Sequence, residues 1–585
     1  RGGMAESERR HRRPASRLGP MILLDPYANR SCPVKIQHQF DPLRTTEPDD
    51  EGLRETFSGG KIFEEQVLDE LAAARPDLVT DLRDTGIPSS ERHRLTREAV
   101  ERGDQVIIGP TVPIDPVGHR SGHPDALVRD ADRGDGSPGY LPVECKRHLI
   151  LEQASPENTL TFSRLSAPLR SDAVGHAERG FRSSRDHDLM QMSHYWRLLE
   201  AAGWSAPGDP TAGIIGTDDV PGVGVHAIAW VSLTAKLIRT FSRTSEIGWK
   251  RRGGLERYDH EHNFRVKVAT QVRRRVGSPD DPPLMVQPVV VPECASCQWW
   301  DLCRDQLDDD DLSLRISKAP LDVREINVLR TQGIHTINDL VDADIDTLLE
   351  TYLPEVRHRH GAESRLRLAT RRAKLMLSGR ELDRLTDGPI DLPRASLEID
   401  LDIETSRSDQ VYLWGFLVDD RLTEEPPYYV SFARFASLSV EDEVALAAEA
   451  MHWLIDLVAE RPDAKIYHYS DYEILHIRKL LGNDPGTDLR LLLGRPGLFV
   501  DLFTVVKDNF FGAFGLGLKV VAQSGAGFSW RDADPGGLNS QIWFDDAVGA
   551  DTSLARAEAR ERVLAYNEDD VRATHALRAW LRTLT

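Results

Sequence analysis

The chain has 585 residues, with 94 Asp and Glu against 73 Lys and Arg, and a formal net charge of −21. At about 150 residues per domain, that length predicts roughly three or four domains and argues against a single one. The acidic balance argues against a protein that coats nucleic acid by bulk charge, so any contact with a polyanion has to be local.

Three short basic runs, Lys250-Arg251-Arg252, Arg273-Arg274-Arg275 and Arg357-His358-Arg359-His360, could supply such contacts, although runs of this length read first as solvated surface. No stretch approaches the apolar length of a membrane span, and the N-terminus lacks the apolar core of a secretory signal, so a cytoplasmic location with no membrane partner is expected. Five cysteines in such a chain do not read as a disulfide framework. Their spacing has to be explained by metal, catalysis or burial.

Residues 1–20 are rich in Arg and Ser, with little to bury, and are expected to be a disordered leader. From 21 to 307, helical stretches alternate with apolar runs such as Val106-Ile107-Ile108, Gly213-Ile214-Ile215 and Val225 to Leu233. That mixture predicts an α/β domain. Gly60 to Glu64 is expected to open a helical segment. Further on, Gly122 to Val128 and Leu141 to Lys146 read as two strands joined by a loop rich in Gly and Asp. Glu144 and Lys146 are two apart and share a strand face, whereas Cys145 points the other way, into the core. With Asp125 on the neighbouring strand, two carboxylates can hold a magnesium ion while Lys146 orients or polarises water. Gln191 and Tyr195, four apart, share a face of a later helix.

In order and type these residues resemble the PD-(D/E)XK nucleases of the RecB type. The resemblance implies catalytic roles for Asp125, Glu144, Lys146, Gln191 and Tyr195, and a metal-ligand role for Glu64, where many relatives have His. Taken without their neighbours, Gln191 and Tyr195 would read as a helix face packed on a sheet.

Cys294, Cys297 and Cys303 cluster at the end of this domain, and Cys32 stands at its beginning. Four thiolates suit a 4Fe-4S cluster, while a structural zinc site has the same ligand count but usually comes as two paired knuckles, which Cys32 does not provide. The one-plus-three arrangement is similar to that of iron-sulfur nucleases of the RecB type, in which the cluster clamps the two ends of the domain together. Burial of unrelated cysteines is the competing explanation.

The acidic run Asp308 to Asp311 reads as a solvated linker. Residues 312–388 are helical in pattern, and Leu329 to Leu340, with Gly333, resembles a helix-hairpin-helix module, which could equally be a spacer. After the turn at Asp387-Gly388-Pro389 a second α/β domain is expected over 396–585. It opens on Leu397-Glu398-Ile399-Asp400-Leu401-Asp402-Ile403-Glu404, a strict alternation that predicts a half-buried strand with one carboxylate face. Crowded like charges are costly unless cations neutralise them, so Asp402 and Glu404 read as metal ligands. A strand at Ala464 to Tyr469 leads into a helix carrying Glu473, with Asp471 as a competitor. Tyr566 to Asp570 is expected to open the last helix, with Tyr566 and Asp570 on one face.

Asp-x-Glu, a mid-domain acid and a final Tyr-x3-Asp resemble the DEDD exonucleases of the RNase H-like fold, in the subgroup with a catalytic tyrosine. Gly515 to Lys519 is similar to that family's segment before its last helices. The resemblance implies two Mg2+ or Mn2+ ions held by Asp402, Glu404, Glu473 and Asp570, with Tyr566 orienting water. The combined expectation is an α/β protein joining a RecB-type nuclease domain, a helical linker and a DEDD exonuclease domain, acting on DNA with single-stranded ends in repair or defence. A nucleic-acid-binding scaffold with idle sites is the alternative. No Gly-x4-Gly-Lys-Ser/Thr loop is present, so any helicase has to be a separate chain.

Overall fold

The computed structural model describes residues 21–44, 51–83, 86–318, 320–482, 484, 486–533 and 535–585. The expected leader, 1–20, lies outside the described residues. The chain divides into two compact units, Arg1–Leu314 with Asp322–Gly333 and Asp344–Glu363, and Arg315–Leu321 with Ile334–Ala343 and Ser364–Thr585. Among the described residues no helix is long and apolar enough to cross a membrane.

In the first unit, α1 (Pro33–Phe40) and α2 (Glu51–Ala74) precede β1 (Val79–Asp81), β2 (Val106–Ile108), β3 (Ala126–Arg129), β4 (Tyr140–Cys145), β5 (Leu160–Ser163) and β6 (Val174–His176). Then come α3 (Asp186–Ala202), β7 (Thr211–Ile215), β8 (Ile228–Ser232), β9 (Ile238–Phe241), β10 (Trp249–Arg252) and α4 (Gly254–Val272). An eight-stranded sheet runs β1-β2-β3-β4-β7-β8-β5-β6. At its middle β4 pairs in parallel with β7, Glu144 opposite Ile214, and every residue of both strands is buried. Unbroken apolar runs such as Val106 to Ile108 are what a strand covered on both faces requires. The helix α3 buries Leu189, Met192, Leu198 and Leu199, and ends on Gly203 at φ 71°, the left-handed conformation that glycine adopts without a Cβ clash. The helix expected to open at Gly60 begins earlier, at Glu51, because the run before it continues the helix through two glycines.

Residues after 308 depart from the simple linker. Asp308 and Asp309 are exposed, but Asp311 is buried, accepts from the Ser313 N–H and hydroxyl, and pairs with Arg330 at 2.9 Å. Within 312–388 lie α5 (Val323–Thr331), α6 (Ile337–Asp342), α7 (Ile345–Glu355) and α8 (Ala362–Leu377), with α5 and α7 belonging to the first unit and α6 to the second, and a short strand, Leu382–Arg384, follows them. Capping boxes start two of them, Asp322 with Glu325 and Thr336 with Asp339.

The second unit carries β11 (Leu397–Thr405), β12 (Val411–Asp420), β13 (Tyr428–Ala433), α9 (Val440–Ala459), β14 (Lys465–His468), α10 (Tyr472–Leu481), β15 (Phe499–Asp501) and the long α11 (Ser553–Leu581). Its five-stranded sheet runs β13-β12-β11-β14-β15, antiparallel up to β11 and parallel from β11 to β15. One face of β11, Leu397, Ile399, Leu401 and Ile403, forms a core with Leu446, Ala450, Met451 and Leu454 of α9. Each such aliphatic side chain contributes about 1.5–3 kcal/mol through its burial. The opposite face presents the four carboxylates to α11. Tyr566 and Asp570 do not open that helix. Thr552 caps it, accepting from the Ala555 N–H at 3.1 Å, and a run free of Gly and Pro carries it through them.

Candidate functional site

In the first unit Asp125 stands one residue before β3 and Lys146 one residue after β4. The expected constellation gathers here. Lys146 Nζ lies 3.2 Å from Glu144 Oε1 and donates to Gln191 Oε1 at 2.9 Å. Gln191 Nε2 donates to Glu144 Oε1 at 2.6 Å and lies 3.1 Å from the Tyr195 hydroxyl. Asp125 accepts from the Cys145 N–H at 2.7 Å, so the strand holds the carboxylate from the main chain. Burial, then Glu144 and Glu64, push the Asp125 carboxyl well above its ordinary range. Glu64 is half-buried, and burial followed by Glu144 raises it too. Burial opposes the charge on Lys146, but Glu144 and Asp188 outweigh it and raise its pKa. Glu144 Oε2 is buried without a hydrogen-bond partner, an acceptor left for something else. Cys145 packs in the core, as its strand parity predicts.

Two neighbours escaped the sequence reading. The Tyr27 phenol feels the charges of Lys146, Glu144 and Asp125, and Asp188, bonded to His148 at 2.8 Å, supports Lys146 from α3. Neither position has a signature beyond its place in the fold.

Cys32, Cys294, Cys297 and Cys303 line one cavity, together with Lys35, Glu293 and Trp299. Cys32 caps α1 from the chain's beginning, and its N–H donates to Glu293 Oε2 at 3.0 Å beside Cys294. Cys303 Sγ lies 3.4 Å from His38 Nε2. All four are free thiols, and burial raises Cys303 to about 12. The donor set is therefore four sulfurs and no disulfide. Tetrahedral zinc would hold its sulfurs about 3.8 Å apart, yet no three of these lie within 4.8 Å of one another.

In the second unit, Asp402 and Glu404 of β11 meet Asp570 of α11, with one ligand oxygen from each within 4.8 Å of the others. Among the described residues this is the one acidic, His or Cys trio so compact. Asn567 donates to Asp402 Oδ2 at 2.8 Å and is itself held by the Tyr429 hydroxyl, and Trp530 Nε1 donates to Asp570 Oδ1 at 2.6 Å. A Cβ at Gly415 would collide with Asn567 Oδ1, so a larger residue there would displace Asn567 from Asp402. Burial and Asp570 push Glu404 up to about 8, and burial followed by Asp570 and Glu404 lifts Asp402 well above its usual range. Among the described residues none of the three carboxylates is salt-bridged to Lys or Arg. Such a trio fits a divalent cation, since hard oxygen ligands are what Mg2+ and Mn2+ take, and Lys519 is a nearby cation that eases but does not pair with the three charges.

Residues 400–582 match the RNase_H superfamily. The second unit thus holds an RNase H-like domain, of a superfamily whose members are typically nucleases that hydrolyse phosphodiester bonds and use divalent metals such as Mg2+. No curated protein and no solved structure matches the chain.

Around the RNase H-like trio stand the other expected residues. Glu473, in the first turn of α10, is buried with one oxygen unpartnered, 3.7 Å from His468 Nδ1, while Asp471 is exposed. Glu473 lies outside the compact trio but raises Asp402 through its charge. The Tyr566 hydroxyl accepts from Lys519 Nζ at 2.5 Å, and burial with Asp570, Glu404 and Asp402 drives its pKa far up. The remaining two acids of β11 are satisfied differently. Arg578 of α11 binds Glu398 and Asp400, the latter at 2.9 Å, and Arg582 binds Glu398 at 2.6 Å. Sequence reasoning passed over Asn567, Trp530 and Arg578, which carry no motif of their own.

Proposed function

We propose that the protein is a metal-dependent nuclease with an acidic site in each unit, the second a DEDD exonuclease that trims single-stranded DNA ends in the 3'-to-5' direction. The observation that carries this reading is the compact trio Asp402, Glu404 and Asp570, with Glu404 and Asp570 buried and Asp402 half-buried. With Glu473 as the fourth acid, these side chains would hold Mg2+ or Mn2+, which when bound supplies the Lewis acidity that activates water and stabilises the leaving oxygen. Burial, followed by Asp570, Glu404 and Asp402, raises the Tyr566 phenol above its ordinary range and favours its neutral form. Lys519 donates to its hydroxyl and lies over its ring, and the hydroxyl also bonds Asp570, so Tyr566 would orient the attacking water from beside the trio.

In the first unit Asp125, Glu144 and Glu64 would hold the same type of ion in a RecB-type site. Gln191 fixes Glu144 and Lys146 together, and the Lys146 ammonium, kept charged by Glu144 and Asp188, steadies negative charge at the scissile phosphate. Cys32, Cys294, Cys297 and Cys303 would hold a 4Fe-4S cluster that ties the domain's beginning to its end. Anaerobically purified protein should then be brown and contain iron. Colourless protein with stoichiometric zinc contradicts the cluster. The test of the main reading is degradation of end-labelled single strands with Mg2+ or Mn2+, replacing Lys146 and Asp402 separately by Ala. Each substitution should remove one component of the activity. If the doubly substituted protein degrades as wild type does, the reading fails.

A further inference from the structure

A cavity of about 480 Å³ in the first unit lies outside both acidic sites, and four arginines and two histidines stand among its lining residues. Arg239 and Arg252 come from the hairpin β9–β10, Arg257 and His260 from α4, and Arg324 and His358 from the helical segment that packs with this unit. Asp186 is the one carboxylate in its wall. One residue from each of two basic runs far apart in sequence, Arg252 of 250–252 and His358 of 357–360, thus comes to one place in a chain of net charge −21.

The charge balance of the wall is uneven. Arg252 pairs with Glu256, Arg257 with Glu261 at 2.7 Å and Arg324 with Glu355 at 2.7 Å, and none of these three partners lines the cavity. Arg239 has no carboxylate partner among the described residues. Its guanidinium stacks 4.1 Å from the Trp249 ring centroid and donates to the His358 carbonyl at 3.2 Å, so it is held in place with its charge unneutralised. Arg324 sits 3.4 Å over the Phe241 ring, and burial lowers its pKa despite its pairing with Glu355. Guanidiniums positioned by aromatic rings and backbone are suited to a phosphate, which takes their forked donors pairwise.

The cavity also has a defined neighbour. Asp186 is the first residue of α3, the helix that carries Asp188 and Gln191 to Lys146. Five residues of helix separate the cavity wall from Gln191, roughly 8 Å along the axis.

We propose that the Arg239 cavity binds a backbone phosphate of the nucleic-acid strand engaged at the first acidic site, a proposal that rests on reading that site as a nuclease. The sequence-independent contact would give this acidic chain the local hold on a polyanion that its net charge denies it elsewhere.

The test is fluorescence anisotropy of a labelled oligothymidylate with the full chain in EDTA, where binding is separated from cleavage. Arg239→Ala with Arg257→Ala should weaken binding several-fold and lower the dependence of log affinity on log salt by about 0.7 for each phosphate the variant no longer neutralises. Arg239→Lys should retain most of the affinity. Ultraviolet crosslinking of the wild-type complex should place adducts on the peptide bearing Phe241 and Trp249, a readout that needs no variant to fold. Unchanged affinity and salt slope in the double variant, or crosslinks confined to the second unit, overturn the proposal. If Lys146→Ala leaves Mg2+-dependent cleavage intact while EDTA binding still depends on Arg239, the nuclease reading falls and the phosphate site stands.

Discussion

The strand β11 carries four carboxylates on one face, and its two halves settle them in opposite ways. At its beginning Glu398 and Asp400 meet Arg578 and Arg582; at its end Asp402 and Glu404 meet a further carboxylate, Asp570. Both sets of partners come from the C-terminal helix α11 and the residue that follows it. Eight residues of helix from Asp570 to Arg578 span about 12 Å, and four of strand from Asp400 to Glu404 about 13 Å, so one helix can answer both halves. Acidic residue type and strand parity therefore do not tell a structural carboxylate from a metal ligand. The helix opposite does.

Breaking the first half should have the largest effect. Arg578 is 1% exposed, and Arg578→Ala strands the buried Asp400 and leaves Glu398 with Arg582 alone, which should cost about 3–5 kcal/mol in denaturant unfolding followed by tryptophan fluorescence. A loss under about 1 kcal/mol would mean that these charges are neutralised in some other way.

The second half should respond with the opposite sign. Asp402→Asn relieves repulsion within the trio, so the EDTA-treated variant should be about 0.5–2 kcal/mol more stable than wild type while losing its stabilisation by Mn2+ and its share of degradation. A metal-free variant less stable than wild type contradicts the repulsion.

The pH dependence sharpens the same contrast. Glu404 is held near 8 against an ordinary 4.5, so the folded metal-free protein binds this proton more tightly than the unfolded chain does. Its contribution to stability is complete below the ordinary carboxylate range and is lost as pH rises through about 8. Thermal melts in EDTA should fall across that window and flatten with Mn2+. Melts that do not change between about pH 5 and 8 in EDTA would remove Glu404 from the account. The smallest stability effect belongs to Tyr566→Phe, about 1 kcal/mol for the lost Lys519 hydrogen bond, with degradation slowed and Mn2+ affinity nearly unchanged in calorimetry. Loss of Mn2+ binding in that variant would make Tyr566 a ligand.

The alternation in β11 was legible because a strand's period of two converts directly into faces, and Glu144 with Lys146 yielded to the same rule. Segments with less regular patterns are harder to bound. The helices α2 and α11 both start earlier than their sequence signals suggest, since Gly60 and the acids around Asp569 imitate start signals within helices that run on through them. Arg578, Asn567 and Asp188 could not be found from the chain alone, because a single polar residue on a helix reports its function only when the facing strand is known. Asp311 is hidden for the same reason: an acidic run looks solvated until Arg330 is set against it.

The most direct test of the central claim is calorimetric Mn2+ titration of the full chain carrying Glu144→Ala, which silences the first site, paired with degradation of an end-labelled single strand. The account predicts that this protein still binds Mn2+ and still degrades the strand, and that adding Asp402→Ala abolishes both. Binding and degradation that survive Asp402→Ala in that background would contradict the metal site at Asp402, Glu404 and Asp570.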